Sequence, residues 1–412
     1  MRKIVTLVAS LLLAVSLLLM GSGLLGTLTG IRATLEGFSD TLTGIITSAY
    51  FIGFILGNYI VPLLLKRVGH IRTFAALTAM ASICVIAQGY IISPASWLLL
   101  RLLLGVCLVG VYIVVESWLN ELTDNTTRGK TLSTYQSTTL IALALGQYLI
   151  LLTDVTTSAL FVLSGALFVL GIIPVALTKL SEPVVVNTGQ RLDLKELYLT
   201  SPMAILGAMT AGLVNGAFLS LAAVSAYHLG LDKGEIAVFM SAMILGGVFL
   251  QWPIGHYSDK ADRRKVMALA ATGGIIFSLL IVVFFHWFRA GIVFAAFLYG
   301  GMVFVLYPIG AAHLNDTLPR EKFVLAARGM SLSYGIGAAT GPICVGILMN
   351  LTGPYALYIF DALLLAVLAG TGFYRVRHVA LPETEREAFV PLVRTSTVAL
   401  EMHPQSESPD SQ

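Results

Sequence analysis

The 412-residue chain is 57% hydrophobic, carries Asp, Glu, Lys and Arg at only 11% of positions, and has a mean hydropathy of +0.87. Soluble domains carry roughly 25% charged residues, so this chain cannot cover a water-facing surface and a soluble enzyme is excluded. The net charge of +3 is too small and too scattered to hold nucleic acid.

A helix crosses a hydrocarbon core of roughly 30 Å in about 20 mainly apolar residues. Each crossing must be helical, because lipid offers no partner to a bare backbone N–H or C=O. In chain order that length predicts spans over 4–28, 42–65, 72–93, 97–119, 131–153 and 157–178. A second set follows over 202–226, 234–257, 265–287, 290–313, 327–349 and 354–375. The first begins after Met1-Arg2-Lys3, as a secretion signal would, but no small-x-small cleavage site precedes a soluble sequence, so it is read as a span. The expected fold class is therefore an all-α membrane protein of twelve transmembrane helices.

The longest polar interruption divides the chain into a six-helix bundle over 1–179, a cytoplasmic linker over 180–200 and a second six-helix bundle over 201–378. Within the linker, Leu192 to Leu199 is amphipathic and expected to lie along the membrane surface. The polar tail, 379–412, is expected to be disordered. Of the 25 Lys and Arg residues, 21 fall on the side of the amino terminus, against Arg32, Lys233 and Arg289 opposite and Arg101 within a span. By the positive-inside rule both termini of this multi-pass protein are expected to be cytoplasmic. Cys84, Cys107 and Cys344 all lie in apolar runs, and an odd count placed that way is not a disulfide framework.

The two halves echo each other. Arg128-Gly129-Lys130-Thr131-Leu132-Ser133 recurs as Arg328-Gly329-Met330-Ser331-Leu332-Ser333, and Leu119-Asn120-Glu121 as Leu314-Asn315-Asp316. Gly105 matches Gly300, and Lys66-Arg67-Val68-Gly69 corresponds to Asp259-Lys260-Ala261-Asp262. Offsets of 193 to 200 residues indicate a duplication. Repeated six-span halves are a transporter architecture with its site where the repeats meet.

The segment from Gly255 to Arg264, GHYSDKADRR, resembles the loop signature G-x-x-x-D-[RK]-x-G-[RK]-[RK] of the major facilitator superfamily, with Asp262 where Gly is usual. The first-half copy, Pro62 to Arg72, replaces the Gly by Pro62 and the acid by Lys66 but keeps Arg67 and Gly69. Arg101 followed by Gly105 resembles that superfamily's fourth-helix motif. Val114 to Ser117, Gln251 to Gly255 and Tyr307-Pro308 are similar to its bacterial YcaD-like branch, which brings no known substrate. The resemblance implies a secondary active transporter, monomeric and without a cofactor. It would move a small solute across the inner membrane by rocker-switch alternating access. Proton coupling stays open beside facilitated diffusion, and a non-transporting membrane sensor is a third reading.

Charged groups inside spans are functional candidates, because burying them in lipid is costly. Arg101 and Glu116 share the fourth span, 15 residues apart, which is roughly 22 Å along a helix. With Gly105, Leu108 and Tyr112 they form one stripe, read as facing the cavity or the partner half. Arg101 suits an anion or proton-relay site; its alternative is snorkelling to the nearby interface. Glu116 is read as a gate ion pair with Arg67, Arg72 or Arg128, the alternative being a proton carrier. Asp361 is the other candidate for a coupling carboxylate, against an exposed residue at the cavity mouth. Tyr50, Gln147 and Asn215, then Tyr307, are uncharged pathway candidates, for which helix–helix hydrogen bonding is the competing explanation.

Asp259 can accept hydrogen bonds from Arg263 or Arg264, and such pairs, with Gly255 and Lys260 around them, are expected to close the cytoplasmic side and break when it opens. Arg67, Gly69 and Arg72 form the corresponding first-half gate, where Lys66 removes the acid and Glu116 is expected to supply it. Gly335, Gly337 and Gly341 before Pro342 are read as a packing seam. GKT at Gly129-Lys130-Thr131 is not a phosphate loop, since Asp124 stands at the first Gly position and no strand precedes it. The His residues show no metal-ligand spacing, and neither they nor the acids form an enzyme-like cluster.

Overall fold

The computed structural model describes residues 2–123, 128–178, 194–318 and 323–379, and among them every regular element is a helix. The first half holds Arg2–Leu35, Asp40–Val68, His70–Tyr90, Pro94–Leu122, Arg128–Tyr148 and a sixth span in two pieces, Ala159–Leu170 and Ile172–Ala176. The second half holds Pro202–His228, Lys233–Lys260, Arg263–Trp287, a tenth span in two pieces (Arg289–Phe304 and Leu306–Asn315), Phe323–Thr352 and Ala356–His378. Both interruptions have a proline four residues beyond the freed carbonyl. Pro174 and Pro308 bring no N–H back to Leu170 and Phe304.

Among the described residues, eleven of these helices are long and apolar enough to cross a membrane. The predicted span over 131–153 is the more polar helix Arg128–Tyr148, followed by the short turn Leu149–Leu151. Its Gln136, Thr139 and Gln147 face a central cavity rather than lipid, which is why its hydropathy is low. Of the predicted linker, Leu194–Thr200 is a short helix. The stretch 179–193 and the predicted tail beyond Val379 lie outside the described residues.

Spans pair in the same way in both halves. The first packs on the fifth and sixth, the second on the fourth, and the third on the fourth and sixth; the seventh to twelfth repeat this six spans later. Across the halves the second span meets the eleventh, the fifth meets the eighth and the first meets the seventh. Lipid gives helices no hydrophobic reason to associate, so close packing at small residues does this work. A Cβ on Gly105 would overlap the carbonyl oxygen of Tyr50 on the second span, and one on Gly300 would overlap that of Met243 on the eighth. The two glycines matched by the repeat therefore seat equivalent helix pairs. Gly337 and Gly341 likewise press the eleventh span onto Met209 and Leu213 of the seventh, whereas Gly335, read as part of the same seam, faces Ile55 of the second span and lines the central cavity.

The junctions between the second and third spans and between the eighth and ninth are built differently. Gly69 sits at φ 80°, a conformation glycine adopts without strain, and no side chain caps the third span. Asp262 has φ −61° and caps the ninth span itself, its Oδ1 accepting from the backbone N–H of Arg264 at 2.9 Å. Asp in the usual Gly position thus exchanges backbone freedom for a side-chain cap. Burial pushes the Asp262 carboxyl up, but hydrogen bonds from the Arg264 side chain and backbone outweigh it and hold the pKa low. The cap is therefore fully present above the ordinary carboxylate pKa and is lost as the pH falls through the lowered value. Both Asp262→Ala and Asp262→Gly lose the Arg264 pair, but glycine suits the N-cap position, so Asp262→Ala should unfold at lower temperature by a further cost of about 0.5–1 kcal/mol; an Asp262→Ala protein that unfolds like the parent at neutral pH would mean that the cap contributes nothing.

Candidate functional site

Between the halves lies a cavity of about 750 Å³. At the face where the first span begins and the twelfth ends, it reaches Lys66, His70, Asn120, Glu121 and Arg328. The opposite face is closed by contacts between the halves. There Gly44 lies against the carbonyl of Pro342, and Thr41 Oγ1 donates to Gly346 O at 3.3 Å. Ser241 Oγ donates to Ala144 O at 3.0 Å, and Lys233 Nζ to Thr153 O at 3.4 Å. His228 Nδ1 stands 3.7 Å from Asp40 Oδ2, joining the end of the seventh span to the start of the second. Sequence reading passed over this closure, because the residues are small or sit singly in charge-poor loops.

Of the sequence-predicted pathway residues, Tyr50, Arg101 and Gln147 line the cavity. Arg101 does not snorkel to the interface: it is 6% exposed, and its Nη2 donates to the carbonyl of Leu25 at 3.1 Å. Gln147 is buried between the fifth and first spans, donating to Gly23 O at 3.0 Å and accepting from the hydroxyl of Thr27. Tyr112 from the same stripe as Arg101 also lines the cavity, as do Asn58, Gln136 and Tyr334.

Glu116, Asn215, Tyr307 and Asp361 do not belong to the lining. Asn215 turns back on its own helix, its Nδ2 donating to Ala211 O at 2.6 Å. Tyr307 is buried one layer behind Tyr334, with ring centroids 5.4 Å apart. Asp361 is fully buried rather than exposed at a mouth, and accepts from the Tyr299 hydroxyl at 2.6 Å. Glu116 is also fully buried and accepts from the Tyr135 hydroxyl of the fifth span at 3.2 Å. The expected ion pairs to Arg67 and Arg72 are not formed: both are exposed, and neither has a carboxylate partner among the described residues. The side chain of Arg128 lies outside the described residues.

The second-half loop signature forms a three-part clamp. Arg263, with a side chain 1% exposed, donates to Asp259 Oδ1 at 3.2 Å and to Asp316 Oδ2 at 2.7 Å. It also donates to Ser258 Oγ at 3.2 Å. Arg264 pairs with Asp262 at 2.8 Å and donates to Val379 O at 2.9 Å, beyond the last span. Gly255 is buried beneath this cluster and Lys260 is exposed. Both residues of the Asp259–Arg263 pair, and Asp316, belong to one half.

His70 stands in Arg263's place in the first half. It is buried at the head of the third span, not in a loop, with its ring 5.9 Å from that of Trp118. Glu121, rather than Glu116, is the fourth-span acid sharing the cavity mouth with Lys66 and His70. Asp316 was not recognised as a clamp partner from sequence, although the repeat aligns it with Glu121.

A sequence profile of the Major Facilitator Superfamily matches residues 10–224 and again residues 204–402. The uncharacterized MFS-type transporters YcaD of Escherichia coli and of Escherichia fergusonii are each 26% identical to the chain over 322 residues, covering 77% of it and 82% of their own length. The nucleoside transporter NupG superposes with a TM-score of 0.73 at 15% identity, covering 90% of this chain and 99% of its own. A bacterial homolog to the human lysosomal transporter Spinster, inward-facing and unoccupied, gives 0.70 at 14% identity, covering 91% and 97%. At these identities the two structures speak for the fold alone.

Proposed function

The chain belongs to the major facilitator superfamily, and from that premise we propose that it is a secondary active transporter moving its solute across the bacterial inner membrane by alternating access. That it is a membrane transporter of small solutes, and not an enzyme, follows from the family. The observation that carries the mechanism is the asymmetry of the cavity: contacts between the halves seal one face while the other is open. With the chain ends cytoplasmic, as the distribution of Lys and Arg supports, this is an inward-open state. A single chain encloses the whole cavity, which supports action as a monomer.

Pulsed electron paramagnetic resonance tests the mechanism in nanodiscs. One spin-label pair spans the sealed face at Asp154 and Lys233, and another spans the open face at Lys66 and Arg328. Two populations are expected at each face, changing in opposite senses with conditions. A single fixed distance at both faces under every condition would rule out alternating access.

Energy is proposed to come from a proton gradient through a carboxylate behind the cavity wall, with Asp361 the better placed. It is fully buried, its Oδ1 has no hydrogen-bond partner among the described residues, and Tyr299 holds its other oxygen. Asp361→Asn should fold normally, since an amide oxygen still accepts from Tyr299, and should remove the pH dependence of the spin-label populations. Unchanged pH dependence would withdraw Asp361 from this role. A facilitated-diffusion uniporter is the second reading, favoured by a lining whose acid, among the described residues, is Glu121, at the mouth.

A further inference from the structure

Arg101 is the deep cation of the cavity. Its Nη2 has one backbone acceptor, Leu25 O, and among the described residues its Nε has no hydrogen-bond partner and no carboxylate pairs with it. Glu116, the acid on the same helix, is 15 residues away, or roughly 22 Å. A guanidinium stays charged at neutral pH and presents five donors in a planar fork. Buried in a low dielectric without an anion, it is strongly destabilised, and the open side left to it is the cavity.

The rest of the lining states what else the anion must carry. Tyr50, Phe54, Tyr112, Phe304 and Tyr334 form aromatic walls around that depth. A volume of about 750 Å³ lies within the range of roughly 300–1,000 Å³ that holds a ligand with a sizeable apolar body. A bare chloride leaves nearly all of it unfilled. One deep cation balances one negative charge and leaves the second charge of a phosphate dianion unpaired.

Building on the transport reading, we propose that the site takes an amphipathic organic monoanion, a carboxylate on an aromatic or alkyl body, with the carboxylate held in the fork of Arg101. Binding to the purified chain in nanodiscs tests this with 4-phenylbutyrate and decanoate, each beside its neutral amide, and with phenyl phosphate and chloride as further arms. Each acid should bind at least about tenfold more tightly than its amide and more tightly than phenyl phosphate. Arg101→Gln should erase that preference, and Arg101→Lys, which keeps the charge but not the fork, should retain part of it. The comparison of acid with amide in the unaltered protein stands even if a variant folds poorly.

The proposal falls if the amides bind as well as the acids, if neither acid binds, if the preference survives Arg101→Gln, or if chloride alone gives the Arg101-dependent effect. The spin-label pairs, read in the same samples, separate this from the mechanism. Distances that interconvert while acids and amides bind alike would leave alternating access standing and end the anion site. Acid binding through Arg101 with distances that never change would do the reverse.

Discussion

Arg263→Gln is expected to destabilise the second half by about 3 kcal/mol, the lower end of the roughly 3–5 kcal/mol seen when one partner of a buried ion pair is removed. The guanidinium bridges Asp259 and Asp316 with its own side chain 1% exposed, while their side chains are 22% and 10% exposed. Without it, two carboxylates face each other across a half-buried site, and water reaching Asp259 recovers part of the loss. The clamp joins the eighth, ninth and tenth spans of one half, so the damage should appear as lowered thermal stability. The balance between the two faces should stay where it is. Arg263→Lys keeps the charge but serves two carboxylates less well than a planar fork, so it should fall between. If Arg263→Gln left stability unchanged and moved the spin-label populations instead, the clamp would be a latch between states, as the loop signature alone suggested.

That contrast marks where sequence reading stops. The spans could be read from hydropathy, because a membrane-crossing helix is defined by its own composition. The charged Arg101 was legible for the same reason, standing out against an apolar run. Which way a polar residue faces was not. A helix apolar all round has no periodic stripe to orient it, so the facing is set by neighbouring helices. Asn215 lies beside Gly212 and Gly216, whose close approach to Tyr334 and Ala338 presses the seventh span onto the eleventh, and it does not reach the cavity lining. Gln147 is turned toward Gly23 and Thr27 by the close approach of Gly146 to the first span. The clamp shows a different limit. Asp259 and Arg263 are neighbours in the chain, but Asp316 arrives from 53 residues away. The repeated Leu-Asn-acid triplet, Leu119-Asn120-Glu121 and Leu314-Asn315-Asp316, was the signal for it. It identified a duplicated position without saying what that position touches.

The same Gly→Ala change should have opposite signs at different places in this fold. At Gly105 the new Cβ meets the carbonyl oxygen of Tyr50, and at Gly300 that of Met243. Backbone cannot step aside as a side-chain end can, so the paired helices must separate. Overpacking of this kind costs about 1–3 kcal/mol, and Gly105→Val should cost more than Gly105→Ala. At Gly370, within the twelfth span, nothing lies within 4 Å of an added Cβ, so alanine should stabilise the helix by up to about 1 kcal/mol. Gly105 and Gly300 sit in separate halves, so the double variant should lose the sum of the single losses to within roughly 0.5 kcal/mol. Thermal unfolding in a common lipid reads all of these. Gly105→Ala should also weaken ligand binding, because it pushes on the backbone of Tyr50, a cavity residue, while Gly370→Ala should leave binding untouched. Similar small losses at all three glycines would mean that the second–fourth and eighth–tenth pairs are not held by backbone contact, and the structural equivalence of the two halves would lose its physical basis.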